Sequence, residues 1–364
     1  MELTKCKLGE LITQRREKND GSDLPICGVS KDGLIPPKQK DADTSIYNVF
    51  YRDDFIFNPP RMELNSIAIN DMYDRAICSS LYEVFYVHRT DLLLPHYLEL
   101  IIRQKWFTRY CKFLGQGSAR EYCRFGNISE IEIEFPPIEE QQKIVEYNTA
   151  IENRIALKQK INDNLEAQAN AIFSSSAPDF TDLQPIHNFG TVITGKTPPT
   201  SVAEYYGNDI PFIKTPDMHG NVYITSSECS LSKAGADSQK NKYIPENTVV
   251  VACIGANAGE VALTSYIAQT NQQINAIISK YPCFLYFSIK AHTVELRTLG
   301  EGSSTMININ KTSFENYEIP TPSDNTLQQL EHKLNIIFSA ILHNLQEIDR
   351  LNETKDLLVT QLSR

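Results

Sequence analysis

The stretch SDNTLQQLEHKLNIIFSAILHNLQEIDRLNETKDLLVTQL, residues 323–362, sets the architecture of the whole chain. It contains no Gly or Pro. Leu327, Leu334, Ile341, Ile348 and Leu362 share one heptad position, and Leu330, Ile337, Leu351 and Leu358 take the position three residues on. A 3–4 apolar spacing sustained this long is the seam of a coiled coil, in which each apolar knob enters a hole of a facing helix. Asn344 and Lys355 break the pattern. Residues 139–173, also free of Gly and Pro, carry a second seam: Ile144, Ile151, Leu165 and Ile172, with Ile155 and Ala169 on the companion position. Here Lys158 and Asn162 interrupt. At 1.5 Å per residue each helix is on the order of 50 Å long.

Outward from the two helices, the chain proves to be built twice. Leu8-Gly9-Glu10-Leu11-Ile12 matches Phe189-Gly190-Thr191-Val192-Ile193, and Gly115-Gln116-Gly117-Ser118-Ala119 matches Gly300-Glu301-Gly302-Ser303-Ser304. Ile131-Glu132-Ile133-Glu134-Phe135-Pro136 then matches Tyr317-Glu318-Ile319-Pro320-Thr321-Pro322, and Gln142-Lys143-Ile144 falls on Gln328-Gln329-Leu330. Each copy opens with about 135 residues rich in Tyr, Phe, Ile and Val and punctuated by Gly, Pro, Asn and Asp. That mixture reads as short strands, turns and a few helices. The expected fold is therefore α+β: globular units at 1–137 and 177–322 alternate with helices at 138–176 and 323–364. Either each helix packs on its own globular unit, or the two pair antiparallel as a rod that holds the units at a fixed separation, which is the arrangement expected.

With 364 residues, 41% apolar and 22% charged, the chain is an ordinary globular one of about two domains. It has no run of 18 apolar residues and its amino terminus lacks the pattern of a signal peptide, so the reading is cytoplasmic. The eight cysteines form no C-x-x-C pair, which points to reduced thiols and no zinc site. A net charge of −10 argues against indiscriminate nucleic-acid binding. Residues 1–136, with 18 basic and 20 acidic side chains, are no exception, so any attraction for phosphate has to be local.

Three motifs suggest catalysis and fail on context. Gly190 to Thr197 fits the phosphate-loop pattern G-x-x-x-x-G-K-[ST], but Pro198-Pro199 follows where a helix should begin. Asn58-Pro59-Pro60 resembles the Asn-Pro-Pro-aromatic motif of amino-methyltransferases, with Arg61 in the place of the aromatic, and no S-adenosylmethionine loop accompanies it. The seven histidines show no metal-ligand spacing. No catalytic residue, metal or cofactor is assigned.

Taken together the residues resemble the specificity subunit of type I restriction–modification systems. Thr194-Gly195-Lys196-Thr197-Pro198 with Glu204-Tyr205-Tyr206-Gly207-Asn208-Asp209-Ile210-Pro211-Phe212-Ile213 is similar to the opening of a target-recognition domain of that family. Ile254-Gly255-Ala256-Asn257-Ala258-Gly259-Glu260-Val261 and Thr270-Asn271-Gln272-Gln273-Ile274-Asn275-Ala276 resemble its middle. Gly302-Ser303-Ser304-Thr305 with Ile307-Asn308-Ile309-Asn310 resembles its end, and Pro136-Pro137-Ile138-Glu139-Glu140-Gln141-Gln142-Lys143-Ile144 the entry to its first spacer. The second spacer departs from that form, with Pro320-Thr321-Pro322-Ser323-Asp324.

The resemblance implies a non-catalytic subunit that binds double-stranded DNA, each globular domain reading one half of a bipartite site and the coiled coil setting the spacing. It also implies two methyltransferase subunits docked on the helices, with S-adenosylmethionine on those partners, and restriction/translocase subunits joining for cleavage. Ile144, Ile151, Leu165, Leu334, Ile341 and Ile348 are the candidate partner-binding residues. A two-headed scaffold that does not read DNA and an adenine methyltransferase are the competing readings.

Base reading calls for Arg toward guanine, Asn or Gln toward adenine, and short hydroxyls. The loops offer Arg61, Gln116 and Ser118 in the first domain, and Asn257, Gln272, Gln273, Ser303, Thr305 and Asn308 in the second. Each suits a turn or a buried hydrogen bond equally well. For phosphate, residues 97–114 read as a helix that places Arg109 and Lys112 on the face of Lys105, with Trp106 and Tyr110 on another; Arg120 and Arg124 follow.

Overall fold

The computed structural model describes residues 3–31, 33–37, 43–115, 122–220, 222–301 and 307–361. The chain divides into two compact units, residues 1–154 with 352–364, and residues 155–351.

In the first unit, runs of Phe, Ile and Val too apolar for a surface strand form the inside of an antiparallel sheet. Its order is Ile12–Arg15, Glu83–Val87, Phe55–Phe57, Ile67–Ile69. Phe55 and Phe85 sit opposite each other in the ladder and stack with ring centroids 4.9 Å apart, the cross-strand pairing that stabilises a sheet most. A second sheet runs Gly33–Ile35, Ile26–Ser30, Arg75–Cys78, Asn48–Tyr51, with its middle pair parallel. Thr4–Lys7 pairs antiparallel with Glu132–Phe135. Three helices cover the first sheet: α1 (Pro95–Ile102), α2 (Lys105–Gly115) and α3 (Phe125–Ser129). Their Tyr97, Leu98, Ile101, Phe107, Cys111 and Ile128 enter its core. The single helix expected over 97–114 is thus two. Gln104 lies at the break, where it is buried and donates from Nε2 to the carbonyl of Val359 at 3.3 Å.

Pro136-Pro137 opens α4 (Ile138–Ser176). Gln141, fully buried in its first turn, accepts from Leu94 N at 2.9 Å and donates to the carbonyls of Leu92 (2.7 Å) and Pro136 (2.8 Å). It ties the start of α1 to the start of α4. Gln141→Ala leaves one N–H and two carbonyls unsatisfied and should lower stability by about 1–3 kcal/mol in urea denaturation.

The second unit repeats the plan. Its main sheet runs Gly190–Thr194, Ile274–Ser279, Val249–Ala252, Val261–Thr264, then a fifth strand, Tyr223–Ile224. A three-stranded sheet holds Cys229–Leu231, Tyr206–Ile213 and Gln269–Thr270, the last two parallel. Asp182–Pro185 pairs with Glu318–Thr321. The helices are α5 (Lys233–Asp237), α6 (Pro282–Ala291), α7 (Thr293–Leu299), α8 (Lys311–Glu315) and α9 (Asp324–Gln361). The first four strands follow the order of the first unit's main sheet, and α6, α7 and α8 follow its second strand as α1, α2 and α3 do in the first unit. The apparent phosphate loop is the strand Gly190–Thr194 and an extended segment. Gly195 N donates to Ile274 O and Lys196 N to Thr270 O, so neither N–H is aimed at a ligand.

The seam residues of α9 belong to the core of this unit. Leu327, Leu330, Leu334, Phe338 and Ile341 share one apolar cluster with Ala169 and Phe173 of α4 and with Phe284 and Phe287 of α6. Glu331 crosses to the start of α6, where Cys283 N (3.1 Å) and Phe284 N (2.8 Å) donate to its carboxylate. Burial pushes that carboxyl up, and the two donors pull it back.

The residues that interrupt the heptads meet each other. Lys158 Nζ lies 2.7 Å from Glu347 Oε2 and donates to Asn344 Oδ1 at 2.8 Å, while Asn344 Nδ2 donates to Asn162 Oδ1 at 2.8 Å. Partner numbers fall as α4 advances, so the pairing is antiparallel. In the first unit Lys355, the remaining break in α9, reaches Glu152 at 2.6 Å.

Candidate nucleic-acid interface

In the first unit, the chain leaves the inner strand Phe55–Phe57 and returns by Ile67–Ile69. The loop between them is held at its base by Asn58 N donating to Ser66 O at 2.9 Å. Two prolines start a 3-10 turn over Pro59–Leu64; Arg61 breaks it with φ −125° and ψ 20°, and Asn65 closes it at φ 54°. Arg61 is exposed, and its guanidinium has no partner among the described residues. It lines a cleft of about 860 Å³ with Lys31, Tyr47, Asn58, Leu64 and Tyr82. Helix α2 packs alongside this loop, and Lys112 on α2 pairs with Glu63 of the loop at 3.2 Å. Arg109 is exposed and unpaired among the described residues. Next to it Tyr110 and Phe113, exposed by 41% and 66%, stack on each other.

In the second unit, the loop between the corresponding strands is Cys253–Glu260. Gly255 and Gly259, both at φ 90°, turn it, and Asn257 stands between them. Asn257 Nδ2 lies 3.1 Å from His219 Nε2, and His219 Nδ1 lies 2.9 Å from Glu260 Oε1. From α7, Arg297 Nη1 donates to the carbonyls of Ala256 (2.8 Å) and Ala258 (3.0 Å), one on each side of Asn257. The turn Asn271–Gln273 and residues 307–309 reach the same end of the sheet. Cys253 N donates to Gln273 O, Gly255 N to Ile307 O and Ile309 N to Cys253 O. Asn257, Gln272, Gln273 and Asn308 are therefore neighbours, although up to 51 residues separate them in sequence.

This doubled plan is matched by the comparisons. Residues 6–167 and 183–356 each fit the family described as type I restriction modification DNA specificity domain. The chain belongs to that family. It is 30% identical over 355 residues to the type I restriction enzyme HindI specificity subunit of Haemophilus influenzae, an alignment spanning 75% of this chain and 77% of that protein. To the type I restriction enzyme MjaIX specificity subunit of Methanocaldococcus jannaschii it is 27% identical over 183 residues, covering 48% of this chain and 42% of the other. Among solved structures, the S subunit of a type I restriction–modification system from M. genitalium superposes with a TM-score of 0.63 at 12% identity, covering 99% and 96% of the two chains. That likeness concerns the fold.

Several residues expected to face DNA in these specificity domains have partners within the chain. Lys112 is paired with Glu63. Arg124 pairs with Glu83 at 3.2 Å, and Glu83 also accepts from Phe125 N, so Arg124 helps hold the start of α3. Gln272 accepts from Thr197 Oγ1 at 2.7 Å, and Gln273 accepts from Asn271 Nδ2 at 3.0 Å. Asn308 is exposed beside the end of α7, with its N–H on Gly300 O. Gln116, Ser118, Arg120, Ser303 and Thr305 lie outside the described residues. Arg61, Arg109, Asn257, Gln272 and Asn308 keep side-chain groups available to a ligand.

Most of the candidate partner-binding residues pack within the chain itself. Leu334, Ile341 and Ile348 are buried by their own chain, and Leu165 packs on the same cluster as Leu334 and Ile341. Ile144 packs on the core of the first unit, and Ile151 is half-buried. Among the described residues, the large apolar side chains left exposed on α4 and α9 are Tyr147, Leu157, Ile161, Ile336 and Leu357. Among the described residues no cluster of His, Cys, Asp or Glu could hold a metal, and no helix is long and apolar enough to cross a membrane.

Sequence reasoning missed His219, Glu260 and Arg297. The repeat carried a signal for the last: Arg297 lies 185 residues after Lys112, the same offset that separates Gly300 from Gly115.

Proposed function

We propose that this chain is the DNA-reading, non-catalytic subunit of a cytoplasmic type I restriction–modification complex. Each specificity domain reads one half of a bipartite site on double-stranded DNA, and the paired helices set the distance between the halves. Two methyltransferase subunits dock on the exposed flanks of the helices and bring S-adenosylmethionine; restriction/translocase subunits join for cleavage. The observation that carries this reading is the duplication itself. Two domains with the same strand order present chemically different side chains, Arg61 and Asn257, on equivalent loops, as two readers of unlike sequences must. Arg109 and Asn308 lie near those loops and supply phosphate and base contacts.

Deleting the gene and mapping methylated adenines at single-base resolution tests the proposal. Loss of one split motif is expected; an unchanged methylome in a strain that expresses the system would overturn it. Arg61→Ala should relax the preference at one position of one half-site, about tenfold in competition binding, because a bidentate Arg–guanine pair contributes roughly 1–3 kcal/mol of discrimination. The other half-site should be read as before.

A further inference from the structure

We infer that Arg297, and more weakly Lys112, are positioning residues that hold the loop between the inner strands of each specificity domain, so that Asn257 and Arg61 present purine-reading edges. Asn257 is thereby set for adenine in one half-site and Arg61 for guanine in the other. The inference rests on the DNA-reading function proposed above and assigns bases and supporting residues within it.

The two cations occupy the same place in the repeat and do the same thing by different chemistry. Arg297 sends one nitrogen to two loop carbonyls, those of Ala256 and Ala258, that flank Asn257. Such bridging charge-assisted bonds fix a loop at both sides of its tip. Lys112 makes a single ion pair with Glu63, two residues beyond Arg61, and both partners are about half exposed. Exposed pairs of that kind contribute little, so the first domain's loop depends more on its two prolines. Were these cations phosphate contacts, they would be expected to point away from the protein; both are instead turned onto their own loop.

Asn257 is also oriented from a second direction. In the neutral imidazole, Glu260 as acceptor places the proton of His219 on Nδ1, and Nε2 then accepts from Asn257 Nδ2. One amide hydrogen is thus committed to His219, and the oxygen is fixed at the other side. What remains free is one acceptor and one donor in a set order, the pair that adenine N6–H and N7 require. A carboxamide free to flip would present both orders and discriminate less.

Competition binding by the full chain assembled with its methyltransferase subunits tests this. The wild-type complex must first prefer a duplex carrying its motif over a scrambled one; no preference would sink the function itself rather than this inference. Given that preference, Arg297→Met should reduce discrimination at one adenine of the second half-site about tenfold, while affinity for scrambled DNA and the slope of log affinity against log salt stay unchanged. Arg297→Lys, which can still reach a carbonyl, should recover part of the loss. A uniform loss on all duplexes with a slope smaller by about one would identify Arg297 as a phosphate contact and overturn the inference. So would unchanged discrimination. If Arg297→Met unfolds the domain, Asn257→Ala decides instead: it leaves the loop gripped, and adenine preference must fall at the same position. Preference that survives Asn257→Ala refutes the assignment.

Discussion

Exchanging the second globular unit for that of another specificity subunit should change one half of the methylated motif completely and leave the other half and the spacing intact. The two sheets, their helices and their reading loops are separate copies, and each half-site preference is expected to travel with its own copy. The graft has to respect the core. Ala169 and Phe173 of α4 and Leu327, Leu330, Leu334, Phe338 and Ile341 of α9 pack in the same cluster as the sheet. A transplant cut at 177 and 322 would set a foreign sheet against these side chains. Mismatched volumes in a close-packed interior cost about 1–3 kcal/mol for each overpacked or emptied site. A transplant that carries those seven positions should express and methylate as well as the parent. Methylome sequencing reads the result directly, and a motif altered in both halves would defeat the modular account.

Lys158→Leu should destabilise the helix pair, by about 2–3 kcal/mol in urea denaturation. The substitution removes the ammonium from Glu347 and from Asn344 Oδ1 in a layer where Lys158 and Glu347 are only 18% and 19% exposed. Deleting one member of a buried ionic set leaves the other charged and poorly solvated, which is the expensive case. Replacing Lys158, Asn162, Asn344 and Glu347 together by Leu should match or exceed the stability of Lys158→Leu, because the four polar groups of the layer are then removed together. Asn162 Nδ2 is already buried without a partner, a further reason for the apolar layer to do well. If the quadruple variant is less stable than Lys158→Leu, the layer contributes net stability rather than pairing specificity.

Both helices were evident from local periodicity. The structure has long helices at Ile138–Ser176 and Asp324–Gln361, since a Gly- and Pro-free heptad run has few other ways to bury its stripe. The duplication, the failure of the phosphate-loop motif at Pro198-Pro199, and the family resemblance could likewise be read from residues adjacent in the chain. The break at Gln104 could not, because it depends on a contact with Val359, 255 residues away.

The site divides along the same line. That Arg, Asn and Gln in loops should read bases follows from their side-chain chemistry, and the sequence alone placed Arg61 and Asn257 among the candidates. Whether a given polar group is free for DNA or already satisfied by protein depends on strand register and on neighbours far off in the chain. Lys112, Arg124, Gln272 and the seam residues Leu334, Ile341 and Ile348 each meet partners within the chain that no local reading shows. The same contacts bring Lys158, Asn162 and Asn344 together and close Arg297 over the loop of Asn257. Periodicity and residue chemistry act within a few turns of chain; desolvation and hydrogen-bond satisfaction are settled only where distant segments meet.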